Sequence, residues 1–129
     1  MDISGDTTVN LLNCTFSSNT GFGNSVLVRG SATAVLNLKN SILSGSGLQL
    51  FRQSPGVINS QGNNLLSDNS LLSDNSLPNP LPSDLLNTNP LLAPLGNYGG
   101  TTQTHALLPS SPAINAVTSS GAPTTDQRG

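Results

Sequence analysis

Apolar and polar residues alternate in two short stretches near the start of the chain, and the stretches repeat each other. Val9-Asn10-Leu11-Leu12-Asn13-Cys14-Thr15-Phe16-Ser17 aligns with Leu36-Asn37-Leu38-Lys39-Asn40-Ser41-Ile42-Leu43-Ser44 at an offset of 27 residues, from 9 to 36. Asn10 falls on Asn37, Leu11 on Leu38, Asn13 on Asn40 and Phe16 on Leu43. Within each copy the period is two, the signature of a half-buried strand, so Val9, Leu11, Leu36 and Leu38 point inward while Leu12 and Lys39 point outward. A repeat of this length marks a solenoid, whose units bury their apolar faces only against their neighbours. Asn13 and Asn40 then sit where the strand bends into the next face, since asparagine tolerates a left-handed backbone and stacked amides bond to one another along the axis.

Further strands follow the same pattern. Ser25-Val26-Leu27-Val28-Arg29 reads as a second strand of the first coil, and Gly47-Leu48-Gln49-Leu50-Phe51-Arg52 as its counterpart in the next. Pro55-Gly56 turns the chain into a short strand at Val57-Ile58-Asn59, with Asn63-Asn64-Leu65-Leu66 after it. About two to three coils result. Next stands LLSDNS at 65–70, repeated at 71–76 and read as a duplication within a surface loop. From Leu77 onward Pro78, Pro80, Pro82, Pro90 and Pro94 prevent regular ladder donation, and they predict an extended segment that covers the open end of the stack. The expected organisation is coils over 1–76, a Pro/Gly-rich cap over 77–116 and a flexible tail over 117–129.

Composition narrows the fold class. Charged residues make up 8% of 129 residues, Glu is absent and Lys occurs once, so a soluble helix would lack its usual exposed residues. All-β is the reading. A net charge of −2 and 3% aromatics give neither a basic footprint nor a stacking platform for nucleic acid. The single cysteine, Cys14, rules out an internal disulfide. No apolar run approaches the roughly 20 residues of a membrane span, and the first residues lack the pattern of an export signal.

The segment PLGNYGGTTQTHALLPSSPAINA, with TDQRG after it, is the least generic part of the chain. Its residues Pro94, Leu95, Asn97, Gly99, Gly100, Thr102, Gln103, Thr104, His105, Ala106, Leu107, Pro109, Ser111, Pro112, Ala113 and Ile114, then Thr125 to Gly129, closely resemble the choice-of-anchor Q segment. That segment ends many large exported bacterial proteins built on right-handed parallel β-helices. The resemblance implies a right-handed parallel β-helix with a cap, an extracellular or bacterial cell-surface location, and upstream coils of a longer parent chain as partner. It supplies no catalytic residue. Both ends of the chain read as cut from a larger exported protein.

Candidate chemistry is sparse. Asp68-Asn69 and Asp74-Asn75, six residues apart in the duplicated loop, carry oxygen ligands of the kind calcium takes, although two solvated loop acids are the plainer reading. His105 with Ser110 or Ser111 and Asp126 has the residue types of a nucleophile triad, though a histidine in a cap more often bonds backbone. Arg29 and Arg52 follow equivalent strands; stacked on one face they would offer a weak anion or sugar site, but no acid accompanies them in their coils, and two exposed arginines ending strands is the plainer reading. Asn13-Cys14-Thr15 matches a glycosylation sequon within a turn expected to face inward. The expected function is a non-enzymatic display module without cofactors, with surface glycans or other cells as candidate partners. The alternative is a glycan-binding or carbohydrate-active β-helix fragment.

Overall fold

The computed structural model describes residues 1–19, 24–29, 33–68, 77–117 and 123–128, the side chains of Asn24 and Ser25 excepted. Among these residues the fold is all-β, with no helix and three parallel three-stranded sheets. The strands are β1 (Asp2–Ile3), β2 (Thr8–Leu12), β3 (Thr15–Ser17), β4 (Asn24–Val28), β5 (Val35–Lys39), β6 (Ile42–Ser44), β7 (Leu48–Arg52), β8 (Val57–Ser60) and β9 (Leu65–Leu66). Each strand pairs with the strand three places later, giving sheets β1-β4-β7, β2-β5-β8 and β3-β6-β9. Three successive tiers, β1–β3, β4–β6 and β7–β9, therefore lie in register.

Register follows from side-chain alternation. Leu11 pairs with Leu38 and Val9 with Leu36, while Leu36 pairs with Ile58. Leu36 and Leu38 are fully buried, Ile58 is 2% exposed, and Leu12, one residue out of phase with Leu11, is 50% exposed. Slipping any of these strands by one residue would exchange the core face for the solvent face. Val26 and Val28 from β4, Leu43 from β6, Leu50 from β7 and Leu66 from β9 join the same buried cluster. Burying a side chain of this size contributes about 1.5–3 kcal/mol.

The bend between the second and third sheets is built three times with the same residue type. Asn13, Asn40 and Asn63 have φ of 54°, 51° and 57°, a left-handed conformation that asparagine adopts more readily than other non-glycine residues. This conformation turns the side chains away from the core. Asn13 is exposed, not inward-facing, and Asn40 and Asn63 are half-buried.

Arg29, just after β4, is exposed, and Arg52, the last residue of β7, is half-buried. Arg52 lies opposite Val28, so Arg29, the next residue along, has the opposite phase and the two do not stack. Arg29 does have an acid beside it: its Nη2 lies 2.6 Å from Asp2 Oδ2. Asp2 sits on a two-residue strand that the alternation pattern is too short to register.

The chain divides into two compact units, Met1–Thr88 and Asn89–Gly129. In the first unit the residues after β9 continue the pairing. Leu85 forms a parallel bridge with Leu65, the Leu85 amide donates to Asn64, and Leu77 is buried in the core cluster. The second unit has no regular strand among its described residues. Antiparallel bridges Leu92–Leu107 and Gly96–Thr104, with the bond from the Ala93 amide to Ala106 at 2.8 Å, fold residues 91–108 into an irregular hairpin. The Gly99-Gly100 bend, with both residues at positive φ, and Pro94, which has no N–H to donate, interrupt it, which is why its apolar pieces stay short.

Candidate functional site

Three columns of polar side chains run across the tiers of the first unit. On the outer face of the β2-β5-β8 sheet, Asn37 Nδ2 donates to Asn10 Oδ1 at 2.8 Å, and Asn59 Nδ2 donates to Asn37 Oδ1 at 3.0 Å. At the bend, Asn40 donates to Asn13 at 3.2 Å and Asn63 to Asn40 at 3.3 Å. An amide suits such a column because it carries a donor and an acceptor on one group, so each member satisfies the next.

The third column lies one residue beyond the bend, and each backbone N–H is received by a side-chain oxygen of the next tier. The Cys14 amide donates to Ser41 Oγ at 3.2 Å, the Ser41 amide to Asn64 Oδ1 at 3.1 Å, and the Asn64 amide to Asp84 Oδ1 at 2.9 Å. Ser41 and Asn64 are each 1% exposed. Asn64 Nδ2 also donates to the Leu38 carbonyl and to Asp84 Oδ1, at 3.1 and 3.0 Å. Asp84 closes the column by accepting the Ser60 hydroxyl at 2.6 Å and the Leu81 amide at 2.8 Å on its second oxygen. Cys14 and Ser41 occupy aligned positions of the sequence repeat, which marks the top of this column; the continuation through Asn64 and Asp84 has no such signal, because the residue type changes at every step.

The described carboxylates all bond within the fold. Asp2 holds Arg29, Asp6 accepts from Thr33, Asp68 accepts the Gln49 amide at 2.8 Å, and Asp126 holds Arg128. Asn69, Asp74 and Asn75, the other proposed calcium ligands, lie outside the described residues. No group of three metal-ligating side chains occurs among the described residues, nor does a helix long and apolar enough to cross a membrane.

In the second unit the residues from Asn97 to Ala113 make turn and clamp contacts. Asn97 Oδ1 accepts the Gly99 amide at 3.4 Å, and Gly99 and Gly100 have φ of 101° and 79°. His105 Nδ1 lies 2.8 Å from the Ala93 carbonyl. A carbonyl only accepts, so this nitrogen carries the proton and ties the two arms of the hairpin. Ser111, 4% exposed, donates to the Pro90 carbonyl at 2.6 Å and receives the Ala113 amide at 3.2 Å. Thr104 Oγ1 is buried with no partner among the described residues. His105, Ser111 and Asp126 thus each have a separate structural partner. Pro109 and Pro112 flank the Ser110 turn (φ 73°) that leads to Ser111, and Ile114 is 46% exposed.

The two parts of the motif meet. Gln127 Nε2 donates to Thr102 Oγ1 at 2.7 Å, while Gln103 is exposed. A Cβ on Gly100 would stand 2.6 Å from Arg128 Cα. Alanine at position 100 therefore meets both a positive φ and fixed backbone, and Gly100→Ala is expected to destabilise this unit by about 1–3 kcal/mol. Faster amide exchange at Gly96 and Thr104 with unchanged exchange at Leu38 would show it; unchanged exchange throughout would refute it. Asp126 Oδ1 accepts the Arg128 amide and Oδ2 its Nε, each at 2.8 Å. These bonds from Arg128 hold the Asp126 carboxyl below its ordinary value of 3.8.

Beside this clamp, Tyr98, Pro123, Thr124, Thr125, Asp126 and Arg128 line an open cleft of about 490 Å³. No family model, curated protein or solved structure matches this chain.

Proposed function

We propose that this chain is a non-enzymatic structural module of a bacterial cell-surface or secreted protein. In this reading the tiers of the first unit are the last coils of a right-handed parallel β-helix. The segment resembling choice-of-anchor Q ends the solenoid and leads toward an anchor. The observation that carries the reading is the pair of asparagine columns, Asn10-Asn37-Asn59 and Asn13-Asn40-Asn63, at equivalent places in successive tiers. Repeating one residue at one place across tiers is what a stack extended by identical additions requires. The commitment of the described acids to bonds within the fold favours a scaffold over glycan cleavage, which uses two carboxylates poised across a substrate.

Strands β1, β2 and β3 each pair on one side only among the described residues, and unpaired parallel edges are where upstream coils would dock. The test is to insert a second copy of residues 8–34, one repeat, ahead of Thr8. The expected result is a higher melting temperature, a single transition and one further set of protected strand amides. An inserted copy that stays protease-sensitive and leaves the melting temperature unchanged would argue against a stackable module.

A further inference from the structure

We propose that the cleft of the second unit is a weak binding subsite for a neutral pyranose sugar, received between the Tyr98 ring and the Asp126–Arg128 clamp. Three features of the cleft bear on this. The first is a fixed aromatic wall. Tyr98 donates its hydroxyl to the Pro94 carbonyl at 3.0 Å, and its ring lies against Gly96, where a Cβ would stand 3.2 Å from the ring edge. The ring is thereby oriented before any ligand arrives, yet 40% of the residue remains exposed. An aromatic face held in this way offers apolar contact to the C–H face of a sugar at little entropic cost.

The second feature is an adjacent donor and acceptor. Arg128 directs Nε and Nη2 at Asp126 Oδ2, so its Nη1 amino group is uncommitted among the described residues. Asp126 Oδ1 accepts only the Arg128 amide there and can take a further donor. Neighbouring sugar hydroxyls both donate and accept, which matches this pair. Thr124 and Thr125, both exposed on the same lining, add hydroxyls.

The third feature is charge balance. Asp126 and Arg128 neutralise each other, so a phosphate or carboxylate gains no net attraction, and neither does a cation. A volume of about 490 Å³ lies within the roughly 300–1,000 Å³ of small-ligand sites. With a single aromatic and an open mouth, affinity should be about millimolar. This subsite is separate from the asparagine columns and does not depend on the scaffold reading.

The test is an NMR titration of the full chain with methyl β-D-glucopyranoside, N-acetylglucosamine and D-galacturonate. Saturable shifts of the Tyr98 ring and Arg128 side-chain signals are expected with at least one neutral sugar, insensitive to added salt. Tyr98→Phe should retain binding and Tyr98→Ala should lose it. Arg128→Lys, which keeps the charge and removes the fork, should weaken it about tenfold. Absence of saturable shifts with both neutral sugars overturns the proposal. So does a response confined to galacturonate and abolished by salt, which would mark an anion site. Should Tyr98→Ala disturb the hairpin, unchanged affinity in Arg128→Lys overturns it independently.

Discussion

Asn64→Ala should lower the stability of the first unit by about 3 kcal/mol, because removing one buried amide strands several partners at once. The Ser41 amide, on a residue only 1% exposed, loses its acceptor. The Leu38 carbonyl loses a donor, and Asp84 loses one of the bonds on Oδ1. A buried backbone group left unsatisfied costs about 1–3 kcal/mol, and alanine leaves room but no replacement acceptor. Asn64→Asp separates this bonding role from packing. Aspartate still accepts from Ser41, but at neutral pH it turns a donor toward Asp84 into a second carboxylate about 3 Å away. Such a pair raises the pKa of the introduced acid above its unfolded value. Its favourable contribution is therefore present at low pH and lost as pH rises through the raised value. Chemical denaturation across pH should show Asn64→Asp recovering toward wild type in acid and Asn64→Ala not recovering. Similar behaviour of the two variants would refute the bonding role.

Leu38→Ala should cost about 2–5 kcal/mol. Leu38 is fully buried in the middle tier, with Leu11 beside it in register on one side and Ser60 on the other. Tiers on both sides hold the backbone in place, so the void cannot easily collapse, and the cost should fall in the upper half of that range. Leu12→Ala is the internal control. Leu12 lies next to the strand-end asparagine but is 50% exposed, and its loss should change stability by less than about 0.5 kcal/mol. Equal effects at the two positions would mean that the alternation along β2 and β5 does not set which face is buried.

The sequence repeat made the first pairing readable. The offset read from Val9 and Leu36 is the offset at which β2 pairs with β5. It does not persist, for Asn37 and Asn59 are separated by 22 residues and Asn40 and Asn63 by 23. A shortened repeat leaves Val57–Ser60 identifiable as a strand but conceals its partner. The bends were legible because positive φ favours asparagine at each of them, whereas the outward direction of Asn13 required the backbone itself.

Other features had no local signal. Asp2 reaches Arg29 from a strand of two residues, and the Ser41-Asn64-Asp84 column changes chemistry at every tier. In the second unit the turns at Asn97, Gly99 and Gly100 could be read from residue type. The contacts of Gly100 and Thr102 with Arg128 and Gln127 join residues about 25 positions apart in sequence, a separation no turn rule spans. His105, Ser111 and Asp126 invited a triad by residue type alone, and each instead holds a neighbouring backbone or side-chain group.

The arrangement of the tiers is tested most directly by nuclear Overhauser contacts among side chains of the full chain. Parallel, in-register stacking requires contacts between the methyl groups of Leu11 and Leu38 and of Leu36 and Ile58. It also requires contacts between the side-chain amides of Asn10 and Asn37 and of Asn37 and Asn59. Those contacts together, with Leu12 methyls silent toward the core, are the expected result. Contacts of Leu11 with residues other than those facing Leu38, or an antiparallel pattern between β2 and β5, would contradict the stacked arrangement from which the scaffold reading follows.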